Sequence, residues 1–113
     1  MRRGEVRYAD AGGTFGRRPV LIVTASEIIP VLTAVTCAPI TTSVRGIPTR
    51  VALGPDEGLR ELSEAVCDSL VTLPKSDIDT ATRAGFLDED RINELDRAIA
   101  RALDIRRANL PPA

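Results

Sequence analysis

Hydrophobic and polar residues follow different periods in the two parts of this chain. Up to Leu73 the apolar residues form short runs rich in Val, Ile and Thr, separated by segments that contain Gly and Pro. This pattern is typical of β-strands joined by turns. From Asp88 to Leu103, apolar side chains recur every three or four residues, as on one face of a helix. The pattern therefore predicts a β-sheet followed by one helix.

Six strands are predicted from the apolar runs. The clearest is Pro19–Thr24, an unbroken run that is short enough to be a strand buried on both faces. Val31–Ile40 is a second long strand, and Thr49–Leu53 alternates between the two faces of a sheet. Shorter strands are predicted at Gly4–Tyr8, Glu64–Cys67 and Ser69–Leu73, with loops at Ala9–Gly16 and Gly54–Gly58.

The predicted helix carries complementary charges at its two ends. Asp88 is the expected N-cap, the next two residues are acidic, and Arg101 lies towards the other end. Burial of the apolar stripe would contribute roughly 6–12 kcal/mol as an upper estimate. The stripe consists of Ile92, Leu95, Ile99 and Leu103. The tail, residues 108–113, contains two prolines that prevent a helix, and it is expected to be flexible.

Strands followed by a terminal helix predict one mostly β (α+β) domain over residues 1–113. Short, twisted strands hide their edges by closing on themselves, so a small barrel capped by the helix is expected. The chain has no run of eighteen apolar residues, and Met1–Arg3 is not followed by the apolar stretch of a signal peptide. The protein is therefore expected in the cytoplasm, without a membrane partner.

The net charge of −1 hides an uneven distribution. Residues 1–50 carry a balance of +4, and residues 51–113 a balance of −5. A polyanion would be drawn to the first half. All but one of the 15 basic residues are Arg, whose planar guanidinium suits contact with phosphates.

Several kinds of catalytic site are excluded by what the sequence lacks. The chain has no His, which excludes two-histidine ribonucleases, Ser-His-Asp and Cys-His hydrolases, and His-ligated zinc. It has no glycine-rich dinucleotide or Walker motif. Cys37 and Cys67 lie in apolar stretches and are predicted to be reduced core thiols rather than a disulfide. Asp88–Asp90 could hold Mg²⁺, but its place at a helix start favours a dipole explanation. No metal or cofactor is expected.

Two segments carry groups that suit a phosphate diester. Arg17 and Arg18 precede Pro19, which restricts Arg18 to an extended conformation at the edge of the sheet. An Arg can donate two parallel hydrogen bonds to a phosphate and stabilise a charged transition state. The hydroxyls of Thr41–Ser43 follow a long strand and could orient a phosphate or an attacking 2′-hydroxyl. Taken alone, each segment also fits solvated loop arginines or hydroxyls that bond to their own backbone.

Taken in order, these segments resemble the MazF/PemK family of endoribonuclease toxins from type II toxin–antitoxin systems. The resemblance covers nearly the whole chain. It rests on six segments in the family's order, which are Met1–Val6, Arg17–Val23, Ala38–Ser43, Ile47–Val51, Ala65–Leu73 and Phe86–Leu103.

The resemblance implies a fold, an activity and partners. The fold is a small SH3-like twisted β-barrel with a C-terminal amphipathic helix, shared with CcdB-like plasmid maintenance toxins, and the assembly is a homodimer. The activity is metal-independent cleavage of single-stranded RNA at short sequences by attack of the 2′-hydroxyl. The products would carry 2′,3′-cyclic phosphate and 5′-hydroxyl ends, and the cleavage would inhibit translation and growth. A cognate, MazE-like antitoxin with an acidic C-terminal segment would neutralise the toxin.

The resemblance also assigns roles to residues. The family's catalytic Arg, which precedes Pro, falls on Arg18, and its catalytic Thr, which follows Pro-x, falls on Thr41. The residues expected to contact RNA are Arg17, Thr42, Ser43, Arg45, Arg50, Asp68 and Ser69. The chain departs from the family in having Ser69 where Gln is usual, Arg7 where an aromatic residue is common, and a short glycine-rich loop after the first strand.

Two alternatives belong to other functional classes. A CcdB-like toxin would bind gyrase without nuclease activity, but such proteins end in Trp-Gly-Ile, whereas this chain has no Trp. A non-catalytic SH3-like module would bind RNA or a peptide, with Arg18 and Thr41 only holding phosphate. RNA incubated with the protein in EDTA separates the three hypotheses, because only the first predicts cleavage.

Overall fold

This computed structural model describes residues 1–10 and 16–106, which contain seven antiparallel strands and one α-helix. The predicted mostly β fold with a C-terminal helix is confirmed. The tail and residues 11–15 of the predicted loop lie outside the described residues. The elements are β1 (Glu5–Asp10), β2 (Arg17–Ile22), β3 (Ala34–Thr41), β4 (Arg50–Leu53), β5 (Ser63–Val66), β6 (Val71–Pro74), β7 (Ile78–Phe86) and α1 (Glu89–Ala102).

Strand β3 lies at the centre of the sheet and pairs along both of its edges. One edge pairs with β2. The other edge pairs with β6 over Ala34–Cys37 and with β5 over Ile40 and Thr41. The remaining strands extend the sheet outward, so that its order is β4-β5-β3-β2-β1-β7. At its end β3 pairs with β5 through Thr41, whereas its pairing with β2 stops at Pro39.

The sheet packs apolar residues on both of its faces. Leu21 belongs to a core that includes Leu95 of α1. Val20 and Ile22 point to the opposite face, where they pack in a second core with Ile78. The last three residues of β2 are all buried, which confirms the prediction that this run is covered on both sides.

Some strand boundaries differ from those predicted. β2 begins at Arg17, two residues before the expected start at Pro19. Val31 lies outside β3, because Pro30 occupies a 3₁₀ turn spanning Ile29–Val31. Cys67–Ser69, between β5 and β6, form another 3₁₀ turn and are not part of either strand.

The longest strand, β7, was missing from the sequence prediction. It contains few large apolar residues, and most of its side chains are exposed or half-buried. Pairing with β1 holds it in place, but the register shifts twice, so that its middle bulges away from β1. The guanidinium of Arg7 donates to the Thr80 carbonyl across this bulge at 3.1 Å. A strand formed by pairing and not by burial leaves no apolar period to detect.

Helix α1 begins as predicted, but its buried stripe is shorter. The carboxylate of Asp88 accepts a hydrogen bond from the N–H of Arg91 at 2.9 Å, which confirms the N-cap. Leu95 and Ala98 are buried, and the predicted stripe residues Ile92 and Ile99 are only partly buried. Leu103 is 58% exposed because the helix ends before it. The stabilisation expected from four buried side chains was therefore too large.

The expected barrel is twisted but is not closed by hydrogen bonds. Among the described residues, β4 and β7 do not pair, and the 3₁₀ turn Pro55–Glu57 after β4 instead packs against β7. The backbone of this turn lies directly against the backbone of β7. A Cβ atom on Gly58, which has a φ of +82°, would lie 1.9 Å from the Ala84 carbonyl oxygen. A Cβ atom on Gly85 would lie 2.1 Å from the Glu57 carbonyl oxygen. Both positions therefore require Gly.

We expect Gly58→Ala to lower the free energy of unfolding by about 2–4 kcal/mol, because the new methyl group overlaps backbone atoms that cannot move aside. Gly16→Ala is the matched control, since Gly16 has a φ of +63° but no atom of residues 1–10 or 16–106 lies within 4 Å of a Cβ atom placed on it. The control should lose only about 1–2 kcal/mol. Urea denaturation of both variants measures the difference, and equal losses would contradict the close contact with β7.

Candidate active site

Arg18 and Thr41 line the same open cleft, which has a volume of about 350 Å³. The last pair of the β2–β3 ladder is Val20 with Pro39. Continuing this register by two residues places Arg18 opposite Thr41, and side chains that lie opposite each other share a face of the sheet. The rest of the lining is mostly apolar and comes from Ala9, Pro19, Val20, Pro39, Ile40, Val71 and Leu73. We call this site the Arg18–Thr41 cleft.

One proline explains why the cleft opens at this point. Pro19 of β2 has no N–H to donate towards β3, so the ladder between the two strands is weakened where it lies. No pair beyond Val20 and Pro39 continues this ladder in the described residues. The strand ends can then separate enough to leave a cleft whose walls are still fixed by the sheet.

The hydroxyl group of Thr41 has one defined partner within the described part of the chain. Its Oγ1 accepts a hydrogen bond from the backbone N–H of Ser43 at 3.1 Å. This is the turn that Ser and Thr residues commonly make with their own backbone. Because the oxygen acts as the acceptor in this bond, its own hydrogen is free to be donated to an oxygen of a phosphate. The local turn and a role in binding phosphate are therefore compatible.

The corner loop, residues 42–49 between β3 and β4, is held by Glu64 of β5. The carboxylate of Glu64 accepts hydrogen bonds from the N–H groups of Arg45 at 2.8 Å and Gly46 at 2.9 Å. Arg50 donates both to this carboxylate at 3.2 Å and to the Ser43 carbonyl at 3.0 Å. Burial alone would raise the pKa of Glu64, but the two N–H groups and the Arg50 guanidinium outweigh it and lower the pKa. Sequence analysis missed Glu64, whose signal was an acidic residue inside a short apolar strand.

Arg17 faces away from the Arg18–Thr41 cleft. Successive residues of a strand point to opposite faces, and Arg17 lies 5.1 Å above the Tyr8 ring and forms an ion pair with Asp79. Hydrogen bonding from the Ala81 N–H and from Arg17 lowers the pKa of Asp79. Arg17 and Asp79 line a second cavity of about 410 Å³ beside the cleft.

The other residues expected to contact RNA divide into two groups. Thr42, Ser43 and Arg45 are exposed on the corner loop next to Thr41. Asp68 and Ser69 are exposed on the 3₁₀ turn between β5 and β6, and they are absent from the lining of the Arg18–Thr41 cleft. The Asp68 carboxylate accepts from the Thr49 hydroxyl at 2.7 Å, which connects this turn to the end of the corner loop.

The two thiols are unsuited to act as nucleophiles. Cys37 and Cys67 are free and buried, which agrees with the predicted core thiols. Burial raises the pKa of each thiol to about 11, so neither is a thiolate at neutral pH. Residues 1–10 and 16–106 contain no group of three or more Cys, Asp or Glu side chains that could hold a metal ion. No helix in these ranges is both long and apolar enough to cross a membrane.

Comparison with known proteins relates the chain to one group of toxins. Residues 2–103 match the family model described as PemK-like, MazF-like toxin of type II toxin–antitoxin system. The chain is 41% identical to endoribonuclease MazF3 of Mycobacterium tuberculosis over 88 residues, which is 78% of this chain and 84% of that protein.

Solved structures give the same relationship. The M. tuberculosis toxin MazF-mt6 superposes with a TM-score of 0.81 at 36% identity, covering 90% of this chain and 98% of the toxin. A mycobacterial endoribonuclease in complex with its cognate antitoxin superposes with a TM-score of 0.82 at 30% identity, covering 94% and 97% of the two chains.

Proposed function

Because the chain belongs to the PemK-like, MazF-like family of toxins from type II toxin–antitoxin systems, we propose that its Arg18–Thr41 cleft cuts single-stranded RNA. The resemblance found in the sequence is confirmed, and the chain is an endoribonuclease toxin. The family match favours this reading over a CcdB-like gyrase-binding toxin. The observation that carries the assignment to the cleft is that one cavity holds both an Arg and a Thr hydroxyl.

The chemistry follows from these two groups and from the substrate. The guanidinium of Arg18 binds non-bridging oxygens of the phosphate and stabilises the charge that builds up in the transition state. The hydroxyl group of Thr41 donates a hydrogen bond to an oxygen of the same phosphate. The RNA's 2′-oxygen forms a bond to phosphorus as its proton leaves, and the bond from phosphorus to the 5′-oxygen breaks as that oxygen gains a proton. The products carry a 2′,3′-cyclic phosphate and a 5′-hydroxyl.

RNA binding draws on residues around the cleft. Arg17 beside the cleft and Arg45 on the corner loop are exposed cations in the half of the chain with a balance of +4. Thr42 and Ser43 offer hydroxyl groups on the same loop. Asp68 and Ser69 lie on the 3₁₀ turn between β5 and β6. Their contact with RNA bases remains a prediction. We also propose that the protein acts in the cytoplasm, where its RNA substrate is found.

We expect a two-fold symmetric homodimer, because an exposed apolar cluster offers a surface for a second copy. Ile28 is 45% exposed, Val31 81% and Leu32 37%, all on one short segment before β3. Sedimentation at micromolar concentration should show a species of twice the 12.1 kDa chain mass. Finding only the 12.1 kDa species would contradict the dimer.

We expect the cognate antitoxin to compete with RNA. An acidic segment that folds on contact would be attracted to Arg18 and to the exposed Arg45, which also attract phosphates. Higher RNA concentrations should therefore raise the antitoxin concentration needed for half-inhibition of cleavage. An antitoxin peptide that abolishes cleavage while leaving RNA affinity unchanged would show that the two sites are separate.

We expect Arg18→Ala to lower the single-turnover cleavage rate by about 10²–10³ while weakening RNA binding much less, because Arg18 acts mainly on the transition state. Arg18→Lys should restore little, since an ammonium lacks the bidentate fork. Thr41→Ala should also slow cleavage, whereas Thr41→Ser keeps the hydroxyl and should retain much of the rate. The assay uses one labelled single-stranded RNA, and cleavage should persist in EDTA.

Arg17→Ala is the matched control for this series. The side chain of Arg17 leaves the opposite face of β2, so its loss should weaken RNA binding more than it lowers the rate of the bound complex. A well-folded Arg18→Ala variant with the wild-type rate would contradict the assignment. Intact but retarded RNA with the wild-type protein would support the non-catalytic module instead.

A further inference from the structure

Glu64 and Arg50 form a buried ion pair next to the corner loop. Glu64 is only 3% exposed, and in the β3–β5 ladder its backbone lies opposite Thr41. Arg50, whose side chain is 13% exposed, reaches the same carboxylate from β4. Neither side chain lines the Arg18–Thr41 cleft. An effect of this pair on RNA cleavage must therefore pass through the residues that the pair holds.

A series of hydrogen bonds connects the ion pair to Thr41. Glu64 fixes the middle of the corner loop through two backbone N–H groups. Arg50 fixes its start through the carbonyl of Ser43 at 3.0 Å. The N–H of Ser43 then donates to Oγ1 of Thr41 at 3.1 Å. Ser43 is thus held by its carbonyl on one side and directs the Thr41 hydroxyl with its N–H on the other.

The pair is poorly suited to stabilising the fold for its own sake. Moving both charges out of water is unfavourable, and apolar residues of similar volume often serve a core equally well or better. The Nε of Arg50 is also buried without a hydrogen-bond partner among the described residues. A buried polar group left unpaired is unfavourable. The contacts to the corner loop are what the ion pair provides and apolar residues could not.

We propose that Glu64 and Arg50 are positioning residues that set the direction of the Thr41 hydroxyl through the corner loop. This inference rests on the proposed role of Thr41 in RNA cleavage. It gives Arg50 a different role from the RNA contact expected from the sequence. Loss of an RNA contact would weaken binding, whereas loss of a positioning contact lowers the rate of the bound complex.

Glu64→Gln is the informative substitution. Gln keeps the size of the side chain but has one acceptor oxygen in place of two, and its NH₂ group would face an N–H donor of the loop or the Arg50 guanidinium. We expect the single-turnover rate at saturating RNA to fall by about tenfold to a hundredfold, as a small displacement of a reacting group can cause. RNA affinity should be unchanged. Arg50→Gln should show the same split, and Arg50→Lys should recover part of the rate.

Glu57→Gln is the matched control. Glu57 is another buried glutamate, at 6% exposure, and its carboxylate accepts from the backbone N–H of Gly54 at 2.8 Å. Its contacts lie beside β7 and not in the corner loop. Glu57→Gln should lower stability, as measured by thermal unfolding, without changing the rate of the folded enzyme.

The double variant of Glu64→Gln with Thr41→Ala tests whether the effect passes through Thr41. If it does, Glu64→Gln should not slow cleavage further once the hydroxyl is absent. The inference is overturned if Glu64→Gln slows the Thr41→Ala enzyme as much as the wild type. It is also overturned if Glu64→Gln keeps the wild-type rate, or weakens RNA binding alone. A wild-type rate in Thr41→Ala would instead reject the proposed function, so the two failures can be distinguished.

Discussion

The hydrogen bonding of β3 along both of its edges is the constraint on which the site depends. It fixes β2 on one side and β5 on the other, so that Arg18 and Glu64 are brought to either side of Thr41. These residues are far apart in the chain, and only backbone pairing brings them together. Pro19 at the end of the β2–β3 ladder then interrupts that pairing, and the interruption leaves the cleft. The same strands thus provide both the rigid frame and the opening.

Two buried carboxylates form ion pairs with arginines from the first half of the chain, and each pair connects different parts of the fold. Burial raises the pKa of Glu5, but hydrogen bonds from the Arg2 backbone and the Arg7 guanidinium lower it overall. Arg7 then joins β1 to the bulge of β7. Glu64, with Arg50, instead joins β4 and β5 to the corner loop. Both carboxylates stabilise the fold above their ordinary pKa, and this stabilisation is lost as the pH falls through their lowered values.

Much of the fold could be predicted from the sequence, because apolar runs and a helix cap are local signals. β7 could not, since pairing with β1 holds it and long-range pairing leaves no period. The extent of the buried helix face depended on where α1 ends, which placed Leu103 in solvent. At the site, the residue types suggested phosphate chemistry, but only the family resemblance singled out Arg18 and Thr41. Glu64 was missed because its importance comes from its cross-strand position and not from any motif.

The pairing of β1 with β7 has a consequence for the synthesis of the protein. Glu5 lies opposite Phe86, so the outer edge of β1 is covered only when a segment much later in the chain has been synthesised. Contacts between such distant residues slow folding. The contact of Gly58 with Ala84 also forms only when β7 is present. The sheet that holds Arg18 and Thr41 is therefore complete only after β7 has been synthesised.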